Sequence, residues 1–302
     1  MRAVINNFWT SHFGTYIQRN SLIFISKFIN WKKFNDYKNP KNKRELNKSN
    51  RSNHIVVSLT TIPSRITSVK YVIDIMFQQT LRPDNIILYV EKELNKSSKL
   101  KELDKLVEKG LIIKFVDDIG PHKKYYYAMK EFPKSLIVTI DDDVWYSKKL
   151  IERLYNSYLK YPNSISAMRV NRIKGDKNNI LLPYHRWEFD SHYSALPEKD
   201  LIATGVGGVL YPPDSLHNDW KDLERIKKSC FYTDDLWLKA METKADTPVV
   251  CCSRFSLGLL NIPNSQEEAL NVRNINQFQN DINISKISAM YPDCNLFPIR
   301  KN

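Results

Sequence analysis

Cysteine is scarce in this chain. Four residues in 302 (Cys230, Cys251, Cys252, Cys294) are too few and too unevenly spaced for a disulfide framework, and no CxxC pair or Cys/His zinc spacing occurs. They read as plain thiols of a reducing compartment. Long apolar runs are absent too. The stretch SLIFISKFI, residues 21–29, is interrupted by Lys27 and falls well short of the ~20 residues that span a bilayer. No secretory signal is apparent, so the expectation is a cytoplasmic protein. Acidic residues are under-represented, 33 against 46 Lys and Arg, for a formal net charge of +13. That excess is local: residues 1–53 hold eleven basic and two acidic side chains, leaving only +4 for the remaining 249. The basic segment has no recognisable nucleic-acid reading motif, so no nucleic-acid partner is expected. There is no internal repeat.

What is present divides into three parts. Residues 1–37 mix aromatics with scattered Lys and Arg. On a helix, Ile17, Leu22, Ile25, Phe28 and Ile29 gather on one side, with Arg19 and Lys27 placed to reach headgroups. Docking on an anionic membrane surface and packing on the main domain are both open readings. Residues 38–53 are nearly devoid of apolar side chains and read as a linker, so 1–53 is treated as an N-terminal extension. From His54 the pattern alternates. HIVVSLT (54–60), NIILYVE (85–91), LIIKFV (111–116) and SLIVTID (135–141) are strand-like. Helical patterns fall over 66–80, 97–109, around 122–131 and over 147–160. Such alternation predicts an α/β fold: a mostly parallel central sheet with helices on both faces. Residues 54–262 are assigned to that domain, and 263–302, rich in Asn and Ile, to one helix plus a tail. In open sheets of this kind ligands bind beyond the carboxyl ends of the strands.

The chemistry concentrates at those ends. Asp141, Asp142 and Asp143 directly follow the apolar run LIVTI. Three consecutive carboxylates repel one another and are costly to bury unpaired. A divalent cation with a preference for hard oxygen ligands, Mg²⁺ or Mn²⁺, neutralises them and bridges to the phosphates of a nucleotide. The competing reading is an acidic turn capping the next helix, which needs one Asp, not three. A second pair, Asp234-Asp235, follows the glycine-rich GVGG of 205–208, where backbone either approaches a ligand closely or forms a simple turn or bulge.

IVTIDDDVWYSKKLIERLYNSYLKYP resembles the DxD region of GT-A-fold glycosyltransferases, the nucleotide-diphospho-sugar transferase superfamily. With VSLTTIPSRI, GPHKKYYYAM, GVGGVLYPP and YTDDLWLKA, it is similar to bacterial family 2-like transferases of capsule and surface-polysaccharide clusters. The resemblance covers about residues 54–262 and implies a GT-A (Rossmann-like) domain with terminal helical extensions. It implies Thr60, Thr61 and Arg65 near the nucleotide, Glu91 at the base (usually Asp in the family) and Lys124, rather than Lys123, near the pyrophosphate. It further implies Asp141 facing the ribose and sharing the metal, Asp143 coordinating it directly, and Asp142 acting through water or pointing away. Asp235 matches the position of the base that deprotonates the acceptor hydroxyl, with Asp234 beside it as partner or helix cap. The implied activity is metal-dependent, inverting transfer from a nucleotide sugar, with UDP favoured by family frequency. The implied acceptor is a glycan or lipid-linked glycan of capsule or lipopolysaccharide synthesis. No histidine follows His217, so the late histidine ligand of many such enzymes is missing or replaced.

Three further points stay open on sequence. Arg65, with its planar fork, suits nucleotide oxygens but is equally an exposed loop arginine. PYHRWEFDSHY (183–193) offers His185, Trp187 and His192 either to an acceptor sugar or to ordinary packing. The alternatives to a glycosyltransferase are a non-catalytic carbohydrate-binding or scaffold relative and a sugar nucleotidyltransferase. The latter usually carries a glycine-rich basic loop after the first strand, where this chain has TTIPSRI.

Overall fold

The computed structural model describes residues 28–29, 31–38, 45–191, 195–253, 260–263 and 278–300. The chain forms two units, residues 1–43 and 44–302. In the first, residues 28–29 and 31–38 are helical. Phe28 and Trp31 stack at 6.0 Å and stay 56% and 64% exposed. The rest of the amphipathic stretch expected over 1–37 lies outside the described residues.

The second unit is built on a seven-stranded sheet. The β-branched runs form β1 (Ile55–Thr60), β2 (Asn85–Glu91), β3 (Leu111–Val116) and β4 (Leu136–Thr139). Their near-continuous apolar character fits strands covered on both faces. The later strands are short: β5 (Ile165–Ala167), β6 (Val170–Arg172), β7 (Leu201–Ala203), β8 (Val209–Tyr211) and β9 (Val249–Cys251). The sheet order is β3-β2-β1-β4-β8-β5-β9, with β6 and β7 paired as a separate antiparallel ribbon. Within the large sheet only β8 runs against its neighbours. The mostly parallel α/β architecture expected from the alternation is therefore present.

The helices are α1 (Ile66–Phe77), α2 (Asp104–Val107), α3 (Lys123–Glu131), α4 (Leu150–Lys160), α5 (Leu223–Ser229), α6 (Asp234–Lys244) and α7 (Gln279–Ala289). The continuous charged helix expected over 97–109 is instead a 3₁₀ segment, Ser98–Leu103, followed by the single turn of α2. Its apolar anchors Leu100, Leu103 and Leu106 recur every three residues. That is the period of the tighter helix, whose i and i+3 side chains eclipse.

Strand parity decides what faces what. In β1, Val56 and Ser58 point to the face covered by α3: Val56 packs with Ala128, and Ser58 Oγ donates to the Lys124 carbonyl. In-register partners share a face, so Ile137 and Thr139 of β4 lie on that side as well. Ile55, Val57 and Leu59 occupy the opposite face. This alternation continues past the strand ends and governs the site.

The unit takes in chain on either side of the alternating region. Before β1, Asn47 Nδ2 donates to Asp84 Oδ1 at 2.6 Å, Arg51 pairs with the same carboxylate, and the Ile55 N–H donates to it at 2.7 Å. At the other end, Ile284 and Ile287 of α7 and the following Tyr291, Leu296 and Phe297 are buried in the core shared with α5 and α6. Among the described residues no helix is long and apolar enough to cross a membrane.

Candidate active site

β1 lies between β2 and β4, so the chain leaves the sheet in opposite directions from two adjacent strands. Their carboxyl ends form a switch-point crevice, where ligands of open α/β sheets bind. Thr60, Thr61 and Arg65 leave β1 there, and Asp141, Asp142 and Asp143 leave β4.

The three aspartates do not share one environment. Asp141 continues the parity of Ile137 and Thr139 toward α3, and there Lys124 Nζ donates to its Oδ1 at 2.6 Å. Asp142 continues the opposite face. It accepts from Thr61 Oγ1 at 2.5 Å and from Arg65 Nη1 at 2.8 Å. The chain then turns, and Asp143 Oδ2 comes within 3.1 Å of the same Arg65 nitrogen. Arg65 is thus an internal counter-ion, not an exposed loop residue. Burial opposes its charge, but Asp142, Asp143 and Asp141 outweigh that and raise its pKa. Asp142 moves upward as well, because its burial exceeds the compensation from Arg65 and Thr61. The backbone N–H of Asp141 donates to the Tyr146 hydroxyl at 2.9 Å, and that hydroxyl donates to the Val206 carbonyl at 2.9 Å. The DDD turn is thereby tied to the GVGG segment.

Lys124 joins the two acidic groups. Its buried Nζ is also 3.0 Å from Asp234 Oδ2, a charge contact without hydrogen-bond geometry, since that oxygen has no hydrogen-bond donor. Burial works against the ammonium, yet Asp141, Asp234 and Asp235 hold its pKa well above the usual lysine value. Lys123 turns elsewhere and pairs with Asp118. Neighbouring His122 is fully buried between the Tyr125 hydroxyl, 2.9 Å from Nδ1, and the Cys230 carbonyl, 3.0 Å from Nε2. A carbonyl only accepts, so Nε2 carries the proton, and burial pushes the imidazole pKa down to about 4. It is a neutral structural residue.

Asp234 and Asp235 form the first turn of α6, behind Thr233 as N-cap. The helix N-terminus favours their charge. Asp235 Oδ1 accepts the Gly205 N–H at 3.0 Å. Gly205 lies close to both groups: a Cβ there would meet Lys124 Nζ at 2.8 Å and Asp235 Oδ1 at 3.2 Å. Burial first, and then the Asp234 charge, push the Asp235 pKa up to about 8 against the opposing pull of Lys124. Deeper in α6, Lys239 Nζ donates to the carbonyls of Lys199 at 2.7 Å and Leu201 at 2.8 Å and to Glu242 Oε1 at 2.8 Å. This buried, fully coordinated ammonium fixes the helix, and so its acidic first turn, against β7. No sequence motif signals it.

The remaining sequence candidates are placed as follows. Thr60 Oγ1 donates to the Tyr89 carbonyl at 2.8 Å, bracing β1 against β2 at the crevice. Glu91 ends β2, two residues beyond Tyr89, the register partner of Thr60. Trp187 is buried, with Nε1 donating to the Leu182 carbonyl at 2.9 Å, so it packs the core. His185 is exposed beside Phe278, 6.0 Å away, and His192 lies outside the described residues. Thr61, expected with Thr60 and Arg65 after the first strand, meets Asp142; Tyr146 and Gly205 join the site although the sequence argument gave them no distinct role. Their parity and proximity emerge only with the register.

A divalent cation fits this donor set. Among the described residues, five aspartates (141, 142, 143, 234 and 235) gather around Arg65 and Lys124. Among the described residues no group of three or more His, Cys, Asp or Glu side chains forms a ready ligand cage. Magnesium-type sites completed by one or two carboxylates and substrate phosphates need none. Asp142 accepts from both Thr61 and Arg65, while Asp141 meets Lys124 and Asp143 meets Arg65. Residues 260–262 border this turn: Ile262 N–H donates to the Asp143 carbonyl at 2.8 Å and Trp145 N–H to the Leu260 carbonyl at 2.9 Å.

No family model matches the chain, and no curated protein sequence matches it. Among solved structures it is similar to the mannosyltransferase PcManGT from Pyrobaculum calidifontis in complex with GDP-Man and Mn²⁺. The identity is 13% and the TM-score 0.42, over 78% of this chain and 64% of that one. The chain therefore spans less than two thirds of that protein's length.

Proposed function

We propose that the chain is a metal-dependent glycosyltransferase acting on a nucleotide-diphosphate sugar. The observation that carries this is the pairing of two acidic groups around one buried lysine: Asp141 at the switch-point crevice and Asp234-Asp235 at the head of α6, both against Lys124. Asp141 and Asp143 would hold Mn²⁺ or Mg²⁺, which supplies charge stabilisation to a departing diphosphate. Thr60, Arg65 and Glu91 would meet the nucleoside. Lys124 adds positive charge behind the diphosphate. Asp235 takes the proton of the acceptor hydroxyl as that oxygen attacks the anomeric carbon, in a single inverting displacement. The family resemblance favours UDP as the nucleotide, with a glycan or lipid-linked glycan of surface-polysaccharide synthesis as acceptor.

The test is donor hydrolysis across a panel of UDP-, GDP-, dTDP- and CMP-sugars with Mn²⁺ or Mg²⁺, without acceptor. Release of one nucleotide product is expected, lost on adding EDTA and reduced by about two orders of magnitude in Asp143→Ala, the scale of removing a charge-stabilising group. A folded, metal-loaded protein that neither binds nor hydrolyses any donor would instead be a non-catalytic relative.

An anionic membrane surface is the proposed partner of residues 1–37. Phe28 and Trp31 are exposed on the short helix beside Lys32, Lys33 and Lys38. Apolar insertion plus basic charge is the two-part requirement of interfacial binding. Co-sedimentation with vesicles containing phosphatidylglycerol is expected, weakening several-fold in Phe28→Ser/Trp31→Ser and with added salt. Equal sedimentation with neutral phosphatidylcholine vesicles would contradict it.

A further inference from the structure

We propose that Tyr184 and Phe189 form an aromatic step beside Asp235 that receives the apolar face of an acceptor saccharide ring, with Arg169 and Asp190 at its polar edge. This rests on the assignment of Asp235 as the base and names the class of molecule delivered to it.

The step is connected to Asp235 through backbone. Two consecutive N–H groups divide between the site and the step: Gly205 donates to Asp235 Oδ1 at 3.0 Å, and Thr204 donates to the Arg169 carbonyl at 3.1 Å. Gly207 keeps Arg169 pressed against this turn, because a Cβ there would stand 2.6 Å from Arg169 Cβ and 2.9 Å from its backbone nitrogen. Two residues further on, the Asn171 side chain accepts the Asp190 N–H at 3.0 Å. Asp190 adopts a left-handed φ of 57°, a conformation that Asp tolerates better than most residues, and Arg169 Nε lies 3.3 Å from its carboxylate. The turn carrying Phe189 is therefore pinned to β6 at both its backbone and its charged edge. The Asp235 charge is also felt at the Tyr184 hydroxyl, where it adds to burial in raising that pKa to about 12.

The rings are arranged for use at the surface. Tyr184 rests on buried Trp187 at 4.9 Å, and its own N–H donates to Asp281 Oδ1 of α7 at 2.7 Å. Phe189 stands edge-on to it at 5.5 Å and 75°, and is 41% exposed. Its neighbour Trp187, by contrast, is buried. An exposed ring with a polar rim of Arg and Asp suits a ligand with one apolar face and hydroxyls at its edge, which describes a pyranose. Stacking on rings is how such faces are desolvated, while charged side chains hydrogen-bond the hydroxyls.

Nucleoside diphosphate release from the donor that the panel selects is followed while methyl glycosides of glucose, galactose, mannose and N-acetylglucosamine are added as probes. At least one is expected to stimulate release. Phe189→Ala should raise the concentration giving half-maximal stimulation at least tenfold, with the plateau rate within threefold of wild type. Phe189→Trp should restore it. Tyr184→Phe, which keeps the ring, should change that concentration less than Tyr184→Ala. An unchanged half-maximal concentration in Phe189→Ala overturns the proposal, as does a wild type that hydrolyses donor but responds to no glycoside. Wild-type hydrolysis without glycoside reports separately on the transferase assignment.

Discussion

Replacing Lys124 with Met is expected to destabilise the protein by about 3–5 kcal/mol, the range found when one partner of a buried ion pair is removed. It should also lower sugar transfer by about two orders of magnitude. The side chain ends close to Gly205, where a Cβ would stand 2.8 Å from Nζ, and its ammonium is the cation shared by Asp141 and Asp234. Methionine fills the same channel, so the loss is one of charge rather than volume. The uncompensated carboxylates then rise in pKa and take up protons. Groups with raised folded-state pKa values stabilise fully below their unfolded values, near 4 for Asp, and lose that contribution as pH rises. The deficit of Lys124→Met against wild type should therefore be smaller at pH 5 than at pH 8. Urea unfolding at both pH values measures it. A variant within 1 kcal/mol of wild type at pH 8 would mean that Lys124 does not compensate this acidic group.

The same lysine illustrates what a sequence can and cannot disclose. The four parallel strands were legible because β-branched runs bounded by polar turns have few other uses, and β2 and β3 fall on the residues expected. The DDD triple stood out because three adjacent carboxylates after a buried strand conflict with any purely structural role. Its internal division was not legible. That Asp141 meets Lys124 while Asp142 meets Thr61 and Arg65 follows from strand parity, and parity requires the register of β4 on β1. The split of 97–109 into a 3₁₀ segment and one helical turn was hidden because charged residues at every intervening position satisfy either period. Trp187 and Phe189 show the opposite limit. Two aromatics in one polar segment look alike as sequence, and only their contrasting burial separates core from surface.

Asp235→Asn is expected to lower transfer by about three orders of magnitude, within the range for loss of a general base, while the fold becomes relatively more stable at alkaline pH. Asparagine keeps the acceptor oxygen that receives the Gly205 N–H, so the turn is preserved and only the titratable proton site is lost. In the wild type, burial and Asp234 raise this carboxyl from 3.8 to about 8. A base must be ionised to act, so transfer should rise with pH and level off above about 8, and the limb should vanish in the variant. The stability consequence has the opposite slope. Between about pH 4 and 8 the unfolded chain releases this proton and the folded chain retains it, so each step upward in pH favours unfolding of the wild type. Asparagine does not titrate, and the melting temperature of Asp235→Asn minus that of wild type should increase from pH 4.5 to pH 8. The two effects share one cause: the same desolvated, repelled carboxylate that binds its proton too tightly for the fold's benefit is the one able to accept a proton near neutral pH. Transfer within threefold of wild type would remove Asp235 from the chemistry. A melting-temperature difference constant with pH would show that its proton is held no more tightly in the folded chain than in the unfolded one.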